Sequence, residues 1–114
     1  MKNNELIKQL EDSGDYRIIK RFEPVDHYHL DDGLERKIGI YLDTETTGID
    51  FESNKIIELA MVPFEFHSSG KIYRIFPAYN SFQDPGIPIP EEITKITGIT
   101  DEMVNGQAID LNQV

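Results

Sequence analysis

Ile38-Gly39-Ile40-Tyr41-Leu42-Asp43-Thr44-Glu45, followed by Thr46-Thr47-Gly48, is the stretch that decides the fold. Side chains alternate across a strand, so Ile38, Ile40 and Leu42 share one face while Tyr41, Asp43 and Glu45 share the other. Such a strand ends on two carboxylates pointing the same way, about 6.5–7 Å apart along the backbone. Thr46-Thr47-Gly48 then turns the chain. Like charges beside an apolar sheet raise each other's pKa and cost stability unless something neutralises them. A hard divalent cation does so. Oxygen donors in a chain without cysteine favour Mg²⁺ or Mn²⁺ over zinc. Paired ions of that kind clamp a phosphodiester, activate water and stabilise the leaving oxygen. The bland alternative is an Asp-x-Glu on a solvated strand end, and the pair alone does not decide between them.

Downstream, Ile56 to Phe66 is apolar on both faces, as an interior strand should be, with Pro63 marking a bulge or local edge. Ser68-Ser69-Gly70 makes a hairpin into a third strand over Lys71 to Tyr79. The three strands form an antiparallel meander. Asp84-Pro-Gly-Ile-Pro-Ile-Pro90 is a rigid extended loop. Glu91 to Thr97 is a short helix that Pro90 begins and Gly98 ends, and Thr100 caps another through Asp101, Glu102, Met103 and Val104.

Upstream, residues 4–12 read as a helix with Leu6, Ile7 and Leu10 in one stripe and Asn4 as its cap. Tyr16 to Phe22 reads as a strand or extended segment stopped by Pro24. His27 and His29 stand near Asp26, Asp31 and Asp32, but the spacing is weak for a metal site and reads as a solvated loop. Residues 1–37 are therefore an N-terminal extension and residues 38–114 the body. The fold class is α/β: a three-stranded antiparallel meander plus short helices. Its second face has little to cover it, which suggests an incomplete fold.

At 114 residues, with 39% hydrophobic and 28% charged, the composition is that of one soluble globular domain. The absence of cysteine excludes disulfides, thiolate zinc sites and cysteine catalysis. No apolar run approaches the roughly 20 residues of a membrane span, and Met1-Lys2-Asn3-Asn4-Glu5 does not open a signal peptide. A cytoplasmic location is expected. The net charge is −10. Residues 1–37 carry seven Lys/Arg against nine Asp/Glu, and residues 38–114 four against twelve. A body this acidic repels a polyanion, or binds it through cations that present positive charge on its behalf.

Asp43-Thr-Glu-Thr-Thr-Gly48 resembles the first motif of the DnaQ-like, DEDD-type 3'-5' exonucleases, which include the proofreading subunit of bacterial replicative DNA polymerase and oligoribonuclease-like enzymes. The resemblance continues through Lys55-Ile-Ile-Glu-Leu-Ala-Met-Val62 and Ile89-Pro-Glu-Glu-Ile-Thr-Lys-Ile-Thr-Gly-Ile-Thr-Asp-Glu-Met-Val104, so it covers about residues 38–110. It implies the amino-terminal half of a ribonuclease H-like exonuclease fold. It also implies hydrolysis at the 3' end of single-stranded nucleic acid, DNA before RNA, with two Mg²⁺ or Mn²⁺ ions in the complete site. A DNA polymerase is an implied partner.

The resemblance makes Asp43 and Glu45 the metal-ligating catalytic acids. Thr46, Thr47 and Gly48 become the turn against the 3'-terminal nucleotide, and Glu92 the contact to the sugar 3'-hydroxyl. Ile96 and Ile99 offer apolar surface for a base. Thr97 stands where several members have His, which puts that contact in question. Glu58 reads as a partner of the acid pair or, more simply, as a strand-end charge facing water. The family's second motif, His-Asn-x-x-Phe-Asp-like, and its third, His-x-x-x-x-Asp with the general base, do not occur before Val114. His67 falls in a hairpin turn, and His27 and His29 precede the body. The 114 residues alone are accordingly expected to be inactive. The competing reading is a catalytically inactive truncated relative that binds nucleic acid or a partner.

Overall fold

The computed structural model describes residues 2–114. Its elements are α1 (Asn3–Asp12), β1 (Lys37–Thr46), β2 (Ile56–Phe66), β3 (Ile72–Ile75), β4 (Tyr79–Phe82), α2 (Glu91–Thr97) and α3 (Asp101–Val104). β2 is central. β1 lies antiparallel along one side of it, from Lys37 opposite Phe66 to Glu45 opposite Glu58. β3 and β4 share the other side end to end: Ile75 faces Phe64, and Tyr79 to Phe82 face Met61 to Glu58.

The third strand of the meander is thus split. Pro77 has no N–H to give a ladder, and the last bond before it runs from the Phe76 N–H to Pro63 O at 2.9 Å. Pairing resumes at Tyr79 and runs to Phe82, beyond the expected end.

Along β2, Ile57, Leu59 and Met61 alternate into the interior. On β1, Ile38, Ile40 and Leu42 share their face but remain exposed. The sheet is covered mainly at one end, where Ile57, Ile89, Ile99 and Val104 form a core with Phe82 and Ile93 against it. Two short helices reach that core because their ends are fixed. Gly98 closes α2 at φ 76°, its N–H bonded to Thr94 O at 2.8 Å. The Thr100 hydroxyl caps α3 by accepting from the Met103 N–H at 3.3 Å. The Asp101 carboxylate accepts from the Ile89 N–H at 2.7 Å and ties loop to helix.

Two upstream expectations need correction. The residue capping α1 is Lys2, in extended backbone, rather than Asn4, which lies inside the helix. Tyr16 to Phe22 joins no ladder, so of the two readings the strand does not form, and Tyr16, Ile19 and Phe22 are exposed.

The chain from Asp26 onward is fastened to the sheet. His27 bridges Arg74; the Ile75 N–H donates to Asp26 O at 2.8 Å, and the Tyr28 N–H to Tyr73 O at 2.9 Å. This covers the outer edge of β3. Tyr73 is fully buried, and its hydroxyl donates to both Asp32 oxygens at 2.9 and 3.0 Å. Lys71 pairs with the same carboxylate, and the Arg36 guanidinium sits 4.9 Å from the Tyr73 ring centroid while bonding Asp31 and Glu65.

The Lys71 ammonium, with the Leu34 N–H and Tyr73 hydroxyl, holds Asp32 well below the ordinary carboxylate range. Burial, then the bond to Asp32, raises Tyr73. A depressed acid contributes stability above its unfolded pKa and loses it as pH falls through the folded value. A raised phenol contributes below its unfolded pKa and loses it as pH rises through the folded one. The clasp is therefore intact between about pH 4 and 10. Asp32→Asn is expected to lower the melting temperature at pH 7 by a few degrees and to flatten the acid limb of its pH profile. A scan from pH 2 to 7 that is identical in both proteins would refute the assignment.

Candidate active site

The β1–β2 register sets Asp43 opposite Ala60 and Glu45 opposite Glu58, so Asp43, Glu45 and Glu58 lie on one face of the sheet. None of the three forms an ion pair among the described residues. Carboxylate oxygens with no protein cation beside them suit a hard divalent ion, so the donor set fits Mg²⁺ or Mn²⁺. Among the described residues no three His, Asp or Glu side chains gather closely enough to enclose an ion. The pair presents an open ligand face.

Glu58 was the less legible acid. Composition alone suggests a strand-end charge facing water, whereas it is half-buried and directly across from Glu45. Like charges facing each other across a ladder are destabilising. Glu58→Gln should therefore stabilise the cation-free protein by ~0.2–1 kcal/mol. Urea unfolding in EDTA measures this, and a destabilised variant would contradict it.

The turn after the pair is built from its own side chains. Thr47 is only 4% exposed. Its N–H donates to Lys55 O at 2.9 Å, and its hydroxyl accepts from the Lys55 N–H at 2.9 Å and donates to Asn54 Oδ1 at 3.1 Å. The Thr46 hydroxyl donates to Gly48 O at 2.5 Å. Both hydroxyls shape the loop instead of standing free as donors, because a buried hydroxyl needs a partner. A Cβ on Gly48 would lie 2.7 Å from the Asn54 amide nitrogen, which explains glycine there. Asn54, seven residues beyond Thr47, is the supporting residue that the sequence pattern did not reveal. The Lys55 ammonium reaches Pro85 O at 3.1 Å and links this loop to the helical segment. There Asp84 accepts from the Gly106 and Gly86 N–H groups, which hold its carboxyl below the ordinary range.

Ile93 seats α2 against the core around Ile57, which alternation along β2 sets on the opposite face from Glu58. Glu92, Ile96 and Thr97 thus come to the same end of the sheet as Asp43 to Gly48. Glu92 is exposed in the first turn. Ile96 is 79% exposed and available to a ligand, but Ile99 is 3% exposed and belongs to the core, so it offers no stacking surface. The Thr97 hydroxyl donates to Ile93 O at 2.8 Å and accepts from the Ile99 N–H at 3.1 Å, closing the helix.

His67 follows β2 nine residues after Glu58, about 30 Å along the strand, and bonds Ser69 in the hairpin. His27 is beside Asp26 at 3.1 Å, and His29 meets the Tyr73 ring edge-on at 6.4 Å. Both lie at the β3 edge, away from the pair.

A family model described as "Exonuclease" matches residues 40–109, from β1 through α3. The chain belongs to this exonuclease family, the DnaQ-like group, and its mixed α/β architecture agrees with a partial ribonuclease H-like domain. The DNA polymerase III PolC-type of Clostridium perfringens is 40% identical over 68 residues, which is 60% of this chain and 4% of that protein. The PolC-type polymerase of Streptococcus agalactiae is 30% identical over 91 residues, 78% of this chain and 6% of its own length. The DNA polymerase III subunit epsilon of Aquifex aeolicus is 41% identical over 68 residues, 60% of this chain and 31% of that subunit. The chain therefore spans only a small part of the length of the curated relatives it matches. Among the described residues no helix is long and apolar enough to cross a membrane.

Proposed function

We propose that this chain contributes Asp43 and Glu45 to a metal-dependent 3'-5' exonuclease site acting on single-stranded nucleic acid, with DNA favoured by the names of its relatives. The observation that carries this reading is the same-face pair at the end of β1, free of any protein cation and followed by the Thr46–Gly48 turn. Asp43 and Glu45 would hold Mg²⁺ or Mn²⁺, which supplies Lewis acidity toward the phosphodiester and its attacking water. The protein's own part is placement. The internally bonded turn gives the terminal nucleotide a fixed wall, exposed Ile96 offers apolar surface to its base, and Glu92 accepts from a free 3'-hydroxyl. A DNA polymerase partner is proposed from the relatives' names, and cytoplasmic location remains part of the same reading. The open ligand pair favours, as a second reading, a module that binds nucleic acid without cleaving it.

The full-length protein, given 3'-hydroxyl, 3'-phosphate and circular single strands in Mg²⁺ or EDTA, separates these readings. Stepwise shortening is expected for the 3'-hydroxyl strand alone, and in Mg²⁺ alone. Efficient cutting of the circle would establish an endonuclease and remove Glu92 from its role. Retention of all three strands uncut would favour the binding module.

A further inference from the structure

The chain's cations are not evenly committed. Lys8 pairs with Asp12, Arg36 with Asp31 and Glu65, Lys71 with Asp32, and Lys95 with Glu91, while Lys55 binds a backbone carbonyl. Lys2, Arg17, Lys20, Arg21, Lys37 and Arg74 make no ion pair among the described residues. Three of them stand in Tyr16-Arg-Ile-Ile-Lys-Arg-Phe22, which holds no acid. The same segment exposes Tyr16, Ile19 and Phe22, with Ile19 85% and Phe22 75% accessible. Cations interleaved with exposed aromatics are what a sequence-independent grip on a single strand requires: phosphate attraction together with stacking surfaces.

Phe22 also stands at a groove of about 1010 Å³ that the following residues, Pro24 to Tyr28, line against the sheet. Its floor includes Tyr41 and Phe64, stacked with ring centroids 5.0 Å apart, and its wall includes Arg74, whose guanidinium lies 4.6 Å from the Phe76 centroid. Gly39 permits this floor, since a Cβ there would lie 2.6 Å from the Phe64 ring. Tyr41 is on the face of Asp43 and Glu45, one side-chain step of about 7 Å before Asp43. The groove and the acid pair are thus one continuous surface. A protein partner would suit the apolar floor equally well, but it would leave the unpaired arginines and lysine unexplained.

We propose that Tyr16–Phe22 and the Tyr41–Phe64–Arg74 groove form a second nucleic-acid contact, which holds the single strand upstream of its reacting end. The direction of the strand rests on the exonuclease reading; the binding itself does not. With twelve acids against four bases in the body, the three cations of this segment, with Arg74, give the proposed contact its attraction for phosphate.

The test uses the 114-residue chain without divalent cation and a fluorescein-labelled 20-nucleotide oligo(dT), followed by anisotropy at several salt concentrations. The triple variant Arg17→Gln, Lys20→Gln, Arg21→Gln should bind at least tenfold more weakly, and its log K against log[salt] slope should fall by about 2. Phe22→Ala should weaken binding about tenfold. A separate Mn²⁺ titration by water-proton relaxation reads the acid pair, and the triple variant should bind Mn²⁺ as the parent does. A parent that fails to bind oligo(dT), or a triple variant that binds it equally well, overturns the proposal whatever the Mn²⁺ result. Self-association abolished by Tyr41→Ala, with no oligonucleotide binding, would likewise overturn it and assign the groove to a second copy. Oligonucleotide binding without Mn²⁺ binding would leave the grip standing and sink the metal reading alone.

Discussion

Asp43→Ala is expected to reduce Mg²⁺-dependent cleavage by the full-length protein by at least about 10²–10³-fold, because a metal clamp contributes several kcal/mol to phosphoryl transfer. Asp43 lies on the exposed end of β1 and makes no ion pair among the described residues, so its removal takes no stabilising contact from the core. Circular dichroism and melting temperature should therefore match the parent while turnover is lost. Asp43→Asn, which keeps the shape and removes the charge, should behave alike. Appreciable turnover in EDTA, or in a folded Asp43→Ala protein, would sink the metal mechanism. The contrast with Glu58→Gln is informative, because that change should stabilise the protein. On the proposed metal reading, the repulsion that Glu58→Gln relieves is the one a bound cation would neutralise.

The legible parts of the fold are those fixed by local chemistry. β2 was readable to its ends because an apolar run lies between Asn54-Lys55 and His67-Ser-Ser-Gly70. α2 and α3 were readable because Pro90, Gly98 and Thr100 stop and start the backbone. The break in the third strand was not, since residue alternation continues through Phe76 and Pro77; only the missing ladder N–H interrupts it. Within the site, Asp43 and Glu45 follow from period two alone, whereas Glu58 needs the register across a nine-residue loop between β1 and β2. The Thr47–Asn54 bond likewise joins residues without a periodic relation. Ile96 and Ile99 look equivalent at helical spacing, but the left-handed turn at Gly98 takes Ile99 out of the helix and into the core.

That divergence sets up the largest stability effect. Ile57 is 0% exposed and touches the cluster through which Ile89, Ile93, Ile99 and Val104 bring both small helices onto the sheet. Ile57→Ala is expected to cost ~2–5 kcal/mol, through lost transfer energy and the cavity left behind, and Ile57→Val ~0.5–1.5 kcal/mol. Ile96→Ala, on the exposed side of α2, should change stability by less than about 0.5 kcal/mol. Urea unfolding of the three variants orders these effects. If Ile57→Ala does not fold, Ile57→Val against Ile96→Ala still tests the order. Amide exchange at Thr94 to Gly98 should accelerate in Ile57→Val and not in Ile96→Ala, because the first loosens the seat of α2 and the second only trims its surface. Equal costs at Ile57 and Ile96 would mean that α2 is not held through this core.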